Sequence, residues 1–179
     1  MSARLTLYAE TIPTPIGAIN IITDGQGVVR ALDFDDYADR TVKLLDRHYG
    51  PGQWQWLSAT KKSEAASALT AWFAGHMGAF DRLKTVTRGT DFQHKVWAEL
   101  RRTKPGQMLS YGELAGRIGH PAAVRAVGLA NGANPIAIMV PCHRIIGANG
   151  KLTGFAGGLE RKQWLLAHEA RHAGLSLAA

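Results

Sequence analysis

Six residues near the midpoint, Thr85-Val-Thr-Arg-Gly-Thr90, separate two segments of different hydrophobic periodicity. That break constrains the fold most, because each side must bury its own core within a chain of 179 residues, enough for one domain or two small ones. Before it, apolar runs at residues 5–8, 16–22 and 28–34 have strand length and are punctuated by Pro13, Pro15 and Asp24-Gly-Gln-Gly27. They predict a small antiparallel sheet. Helical spacing follows at residues 38–48, through Val42, Leu44, Leu45 and Tyr49, and at residues 63–73, where Ser63 can cap. After the break, Asp91 is placed to cap a helix carrying Phe92, Val96, Trp97 and Leu100 on one face, which ends before Pro105-Gly106. Ser110 with Glu113 forms a capping box for a helix over 111–118; a turn at Gly119 to Pro121 precedes a second helix over 122–131. Two short helices across a glycine turn read as a helix-turn-helix. A last helix spans 159–169, with Trp164, Leu165, Leu166 and His168 facing the core. The expected class is α/β in the α+β sense. Residues 1–85 form a structural domain of antiparallel sheet plus helices, and residues 86–179 a mainly helical domain with a helix-turn-helix and an active-site loop.

Charge divides at the same place. Residues 1–85 carry nine Lys/Arg and nine Asp/Glu, whereas the rest carry twelve against five, so the whole excess of +7 lies in the second half. Such asymmetry points that half at a polyanion, most simply nucleic acid, with a basic surface kept for solubility as the other reading. At 46% hydrophobic and 20% charged the chain is globular in composition. No apolar run approaches the roughly 18 residues of a membrane span, and the N-terminus lacks the apolar core of a signal peptide. A single cysteine, Cys142, excludes an intrachain disulfide. A cytoplasmic location, with no membrane partner, is expected.

The second helix of the pair, Ala122-Ala-Val-Arg-Ala-Val-Gly-Leu-Ala-Asn131, lacks the polar side chains that read base edges in the major groove. It carries small residues, among them Ala123, Ala126 and Gly128, and one cation, Arg125. A helix with so little bulk can enter a narrow minor groove, where a single long cation reaches between bases. Equally, small residues let helices pack closely.

Cys142 ends the apolar run Asn134-Pro-Ile-Ala-Ile-Met-Val-Pro-Cys-His-Arg144. Pro141 implies that a strand stops there and presents the thiol at the end of a buried element. A lone cysteine is often a small buried hydrophobe, but His143 and Arg144 beside it favour the thiolate. In extended chain the two neighbours point apart, so a bridging water would carry the proton. A carboxylate would have to orient the imidazole, and residue order alone selects none. The glycines Gly147, Gly150, Gly154, Gly157 and Gly158 make a loop without a phosphate-binding pattern. His168-Glu-Ala-Arg-His172 matches the H-E-x-x-H zinc signature, but no third ligand follows it, so no metal is expected. His48 and His76 read as surface residues. A cysteine hydrolase and a non-catalytic helix-turn-helix lesion binder or regulator are the rival classes.

Pro141-Cys-His-Arg-Ile145, with Arg125-Ala-Val-Gly128, Asn134-Pro135 and Leu165-Leu-Ala-His-Glu169, closely resembles the O6-alkylguanine-DNA alkyltransferases, or methylated-DNA–protein-cysteine methyltransferases. The match covers about Thr90 to Glu169; the first half resembles the family's small α/β domain more loosely. The resemblance implies irreversible, single-turnover transfer of the alkyl group of O6-alkylguanine, and of O4-alkylthymine, to Cys142. In it His143 is the base, acting through water, Glu169 orients His143, and Asn134 holds the turn near the thiol. Tyr111 rotates the phosphate of the flipped nucleotide and protonates the leaving guanine, while Arg125 fills the gap in the duplex. Ala123, Ala126 and Gly128 lie against double-stranded DNA in the minor groove, and Ile145, Phe155, Ala156 and Gly157 line the alkyl pocket. A monomer without cofactor is implied. Phe155 stands where the family commonly has tyrosine and Ala156 where it has serine or another small residue, which leaves room for groups larger than methyl.

Overall fold

Strands β1 (Leu5–Ile12), β2 (Ile19–Asp24) and β3 (Val29–Phe34) are each antiparallel to the next, in a computed structural model that describes residues 3–174. Ile12 pairs with Ile19 across the first turn. The second turn is built by Asp24, whose carboxylate accepts from the backbone N–H of Gln26 at 2.9 Å and Val28 at 3.1 Å, while Gly27 takes a φ of 78°. Aspartate mimics a backbone acceptor and glycine tolerates the left-handed conformation, so the hairpin is dictated locally.

Helix α1 (Ala38–Tyr49) then carries the chain across the sheet to a fourth strand, β4 (Trp54–Ser58), which pairs in parallel with β1. The sheet order is β3-β2-β1-β4. The sheet is therefore mixed where an antiparallel one was expected. A helical crossover from β3 returns the chain in the same direction, which is parallel to β1. β4 gave no strand signal because four of its five side chains are exposed, so nothing alternates along it. Leu45 of α1 packs with Leu7, Ile22 and Ala31 in the core of this unit. Helix α2 (Glu64–Phe73) is capped by Ser63, as expected, and Ser63 N–H is tied to the Glu10 carboxylate of β1 at 2.8 Å. Thr85 bridges to Val29, so the first residues of the polar stretch belong here, and the division into two compact units falls between Arg88 and Gly89. His48 is half-buried rather than superficial, its Nε2 wholly covered; His76 is exposed.

The second unit opens with helix α3 (Asp91–Arg102). Its cap is Thr90, one residue before the expected Asp91: Thr90 accepts from Gln93 N–H and the Gln93 side chain returns to Thr90 N–H. Asp91 sits in the first turn, where its charge meets the positive helix end. Val96, Trp97 and Leu100 are buried, and the Trp97 indole donates to the Ala130 carbonyl at 2.9 Å. Strand β5 (Leu109–Ser110) leads into helix α4 (Tyr111–Arg117), with the Ser110–Glu113 capping box in place. Gly119, at φ 77°, turns the chain toward helix α5 (Val124–Gly132). The helix starts two residues later than expected because Ala123 N–H bonds to His120 O and closes a turn instead. β6 (Ile145–Ile146) pairs in parallel with β5, and helix α6 (Leu159–His172) completes the unit.

Candidate active site

No strand precedes Pro141. Residues 134–140 fold as a buried turn, with Ile138 at φ 69°, and Cys142–Arg144 form one turn of 3-10 helix. The apolar run suggested a strand because its residues are all buried, and burial on every side is shared by strands and tightly packed turns. Asn134 makes the turn possible. Its Nδ2 donates to Val140 O at 2.7 Å and its Oδ1 accepts from Ile136 N–H at 3.0 Å, supplying the backbone partners a strand would have had. Asn131, near the end of α5, donates to the Cys142 carbonyl at 3.4 Å. Asn131 thus ties α5 to the cysteine turn and Asn134 braces the turn from within; sequence reasoning had singled out only Asn134. Cys142 itself is 8% exposed.

His143 is wholly buried, and its Nε2 lies 2.8 Å from Glu169 Oε1. Glu169 also takes Arg144 in a fork, Nε to Oε2 at 2.9 Å and a terminal nitrogen to Oε1 at 2.8 Å, and the Gly106 N–H at 3.3 Å. Burial alone would raise the Glu169 carboxyl, but the charge and hydrogen bonds of His143 and Arg144 overcome it and hold the pKa at about 2. The contact with Glu169 orients the imidazole through Nε2 and turns Nδ1 away from the carboxylate. Nδ1 is buried and has no hydrogen-bond partner among the described residues. The Arg144 charge is committed to Glu169, and its other terminal nitrogen donates to the Thr103 carbonyl at 2.6 Å. Arg144 therefore serves the carboxylate, where it had been read as a cation beside the thiol. Thr103 and Lys162 were missed. Lys162 was findable: it precedes Leu165 and Glu169 by three and seven residues, on their buried face.

Tyr111 begins α4, and its hydroxyl donates to Thr153 O at 3.3 Å. Burial raises this hydroxyl above its ordinary value, and although the Thr153 bond opposes that, nearby Cys142 adds to the rise. The Tyr111 ring lies 3.8 Å from where a Cβ on Gly128 would stand, and its hydroxyl 3.4 Å from one on Gly154. Gly128 and buried Ala130 thus serve close packing, whereas Ala122, Arg125 and Ala126 are exposed and Ala123 half-exposed. The small residues of α5 divide between the two readings. Phe155 and Ala156 are half-buried in the loop before α6; Gly157 and Ile145 are buried. Across the zinc-like sequence, Glu169 is committed to Arg144 and His143, and His172 Nδ1 donates to His168 O at 2.9 Å. No group of residues suited to hold a metal occurs among the described residues. In α6, Lys162 and Glu169 are buried, while Trp164 and Leu166 are only half-buried.

A helix-turn-helix that carries a buried cysteine on one turn of helix, backed by an imidazole–carboxylate–guanidinium chain, defines a thiol-bearing protein on a nucleic-acid-binding scaffold. Residues 91–171 match the family described as 6-O-methylguanine DNA methyltransferase, DNA binding domain. The methylated-DNA–protein-cysteine methyltransferase of Shigella flexneri is 48% identical over 92% of this chain and 96% of its own length. That of Methanosarcina acetivorans is 56% identical over 89% and 96%. Among solved structures, Mycobacterium tuberculosis O6-methylguanine methyltransferase superposes with a TM-score of 0.76 at 43% identity, covering 96% of this chain and 97% of that one. The same organism's OGT in complex with DNA gives 0.75 at 40%, covering 94% of each. This chain belongs to the methylated-DNA–protein-cysteine methyltransferase family.

Proposed function

We propose that this protein repairs DNA by direct reversal, moving the alkyl group of O6-alkylguanine to Cys142 in a single turnover, with O4-alkylthymine as a second substrate. The observation that carries this is the buried His143–Glu169 contact of 2.8 Å at the residue following the one cysteine, with His143 Nδ1 buried and without a hydrogen-bond partner among the described residues. His143 takes the thiol proton through a water, and the sulfur attacks the alkyl carbon. The carbon–O6 bond breaks, its electron pair passes to the base, and the Tyr111 hydroxyl, still protonated, supplies the proton that makes neutral guanine. A thioether carbon is inert to water, so nothing regenerates the thiol.

The target base must leave the stack to reach a cysteine that is 8% exposed. The exposed Ala122, Arg125 and Ala126 of α5 suit a minor-groove approach, with Arg125 entering the space the base vacates. The second unit's net positive charge provides the phosphate attraction. One cysteine and one alkyl group per event make a monomer on double-stranded DNA sufficient, and a reduced thiol fits a cytoplasmic setting. The test is incubation with duplex DNA labelled on the O6-methyl carbon. Label fixed to protein one-to-one supports transfer; soluble label would mean hydrolysis, and unchanged DNA a lesion binder.

A further inference from the structure

Leu129 stands 71% exposed on α5, whereas the other exposed large apolar side chains among the described residues are 36–51% exposed. It shares a face with Arg125 and Ala126 on the turn before it and with Gly132 on the turn after it, and all four are exposed. The opposite face, with Val127, Ala130 and Asn131, is buried. The outer stripe is therefore trimmed to alanine and glycine except at two positions, one a long cation and the other a branched aliphatic. Charge and solubility account for the arginine. The leucine gains nothing from this chain's own core and leaves apolar surface in water. Side chains four apart on a helix have Cβ atoms about 5–6 Å apart, and the bases of one DNA strand rise about 3.4 Å per step. With Arg125 in the space left by an extruded base, Leu129 falls within two base steps of that gap however α5 crosses the groove. Proteins that bind and bend the minor groove insert apolar side chains, leucine among them, between partly unstacked bases. A step beside an extruded base has already lost stacking on one side, so it opens at least cost.

We propose that Leu129 is an apolar wedge that enters the minor groove beside the gap filled by Arg125 and holds the adjoining base step unstacked. This rests on the reading of α5 as the DNA-facing helix. It adds a contact whose strength is independent of salt, because an aliphatic side chain neutralises no phosphate. The wedge stabilises the extruded state and reads no base edge, which suits a protein that must find a lesion in any sequence.

Leu129→Ala and Leu129→Met are each made in the full chain carrying Cys142→Ser, so that the lesion persists, and titrated onto duplex DNA with one O6-methylguanine and 2-aminopurine as the adjoining base. 2-Aminopurine brightens when it unstacks. Leu129→Ala is expected to bind about tenfold more weakly than the Leu129 parent, since three carbons leave the interface, with a salt slope within about half a unit of the parent's and a smaller rise in fluorescence. Leu129→Met, unbranched and of similar volume, is expected to restore both affinity and fluorescence. Affinity and fluorescence equal to the parent's overturn the proposal. Tighter binding by Leu129→Ala overturns it too, because the leucine would then obstruct the groove. So does light scattering that shows a dimer of the parent and a monomer of Leu129→Ala, which would make the leucine a contact between copies. Alanine is the better helix former and the position is exposed, so folding of the variant is not at stake. Methyl transfer from labelled duplex to the protein with Cys142 intact is measured alongside. If no label is transferred, the transfer reading fails; if transfer occurs and Leu129→Ala binds as the parent does, only the wedge fails.

Discussion

Replacing Glu169 by glutamine tests the chain of groups behind the thiol. The substitution keeps the shape and removes the charge that a forked guanidinium and an imidazole share inside the protein. Arg144, 6% exposed, loses its carboxylate, and the new amide turns two N–H donors toward groups that are already donors. Removing one partner of a buried pair costs about 3–5 kcal/mol, against about 5–15 kcal/mol for the stability of a typical domain. At a urea slope of about 2 kcal/mol/M, the midpoint should fall by roughly 1.5–2.5 M. The indole N–H resonance of Trp97, bonded to Ala130, reports on this unit through the transition. The acid limb gives an independent reading. Glu169 lies below its ordinary value, at about 2 against 4.5, so its contribution is present above pH 4.5 and lost as pH falls from there toward 2. That loss should flatten in the variant. Single-turnover methyl transfer should slow by tenfold or more, because His143 loses the carboxylate that orients it. Exposed Glu160→Gln, on the same helix, should stay within about 0.5 kcal/mol of the parent. A Glu169→Gln protein within 1 kcal/mol of the parent and with an unchanged transfer rate would refute the reasoning.

Cys142→Ser should abolish methyl transfer while leaving affinity for undamaged duplex DNA within about twofold in a gel-shift titration, since the thiol is buried and offers the duplex almost no surface. Arg125→Ala should weaken repair of duplex far more than reaction with free O6-benzylguanine, because only the duplex has a gap to fill. Its salt slope should change by less than one unit if the residue inserts between bases rather than pairing with a phosphate. Ala156→Trp should slow transfer from benzyl adducts more than from methyl ones, and equal slowing would remove Ala156 from the pocket wall. Gly89→Ala should destabilise the second unit in a thermal melt, since a Cβ there would lie 2.8 Å from the Trp97 ring.

What could be read from residue order was whatever is encoded over a few neighbouring positions. Ser63, Ser110 with Glu113, and the turns at Asp24 and Gly119 each set a boundary through a local hydrogen bond or a glycine conformation, and each stands in the structure. The motif around Cys142 was legible too, because adjacent residues of defined chemistry are themselves the signal. Tertiary structure decided everything that required a distant partner. β4 exists because β1 offers it an edge, though its own side chains are mostly exposed. The run before Pro141 is a turn because Asn134 replaces a neighbouring strand. Arg144 answers Glu169, 25 residues away, so its charge was assigned to the wrong atom when only neighbours could be weighed. Lys162 shows the limit most plainly: its sequence position says that it is buried, and only the folded chain says which carbonyls surround it. Local hydrogen bonds and backbone torsions act over three or four residues, whereas burial and charge pairing act through space, and only closure of the chain decides which residues share that space.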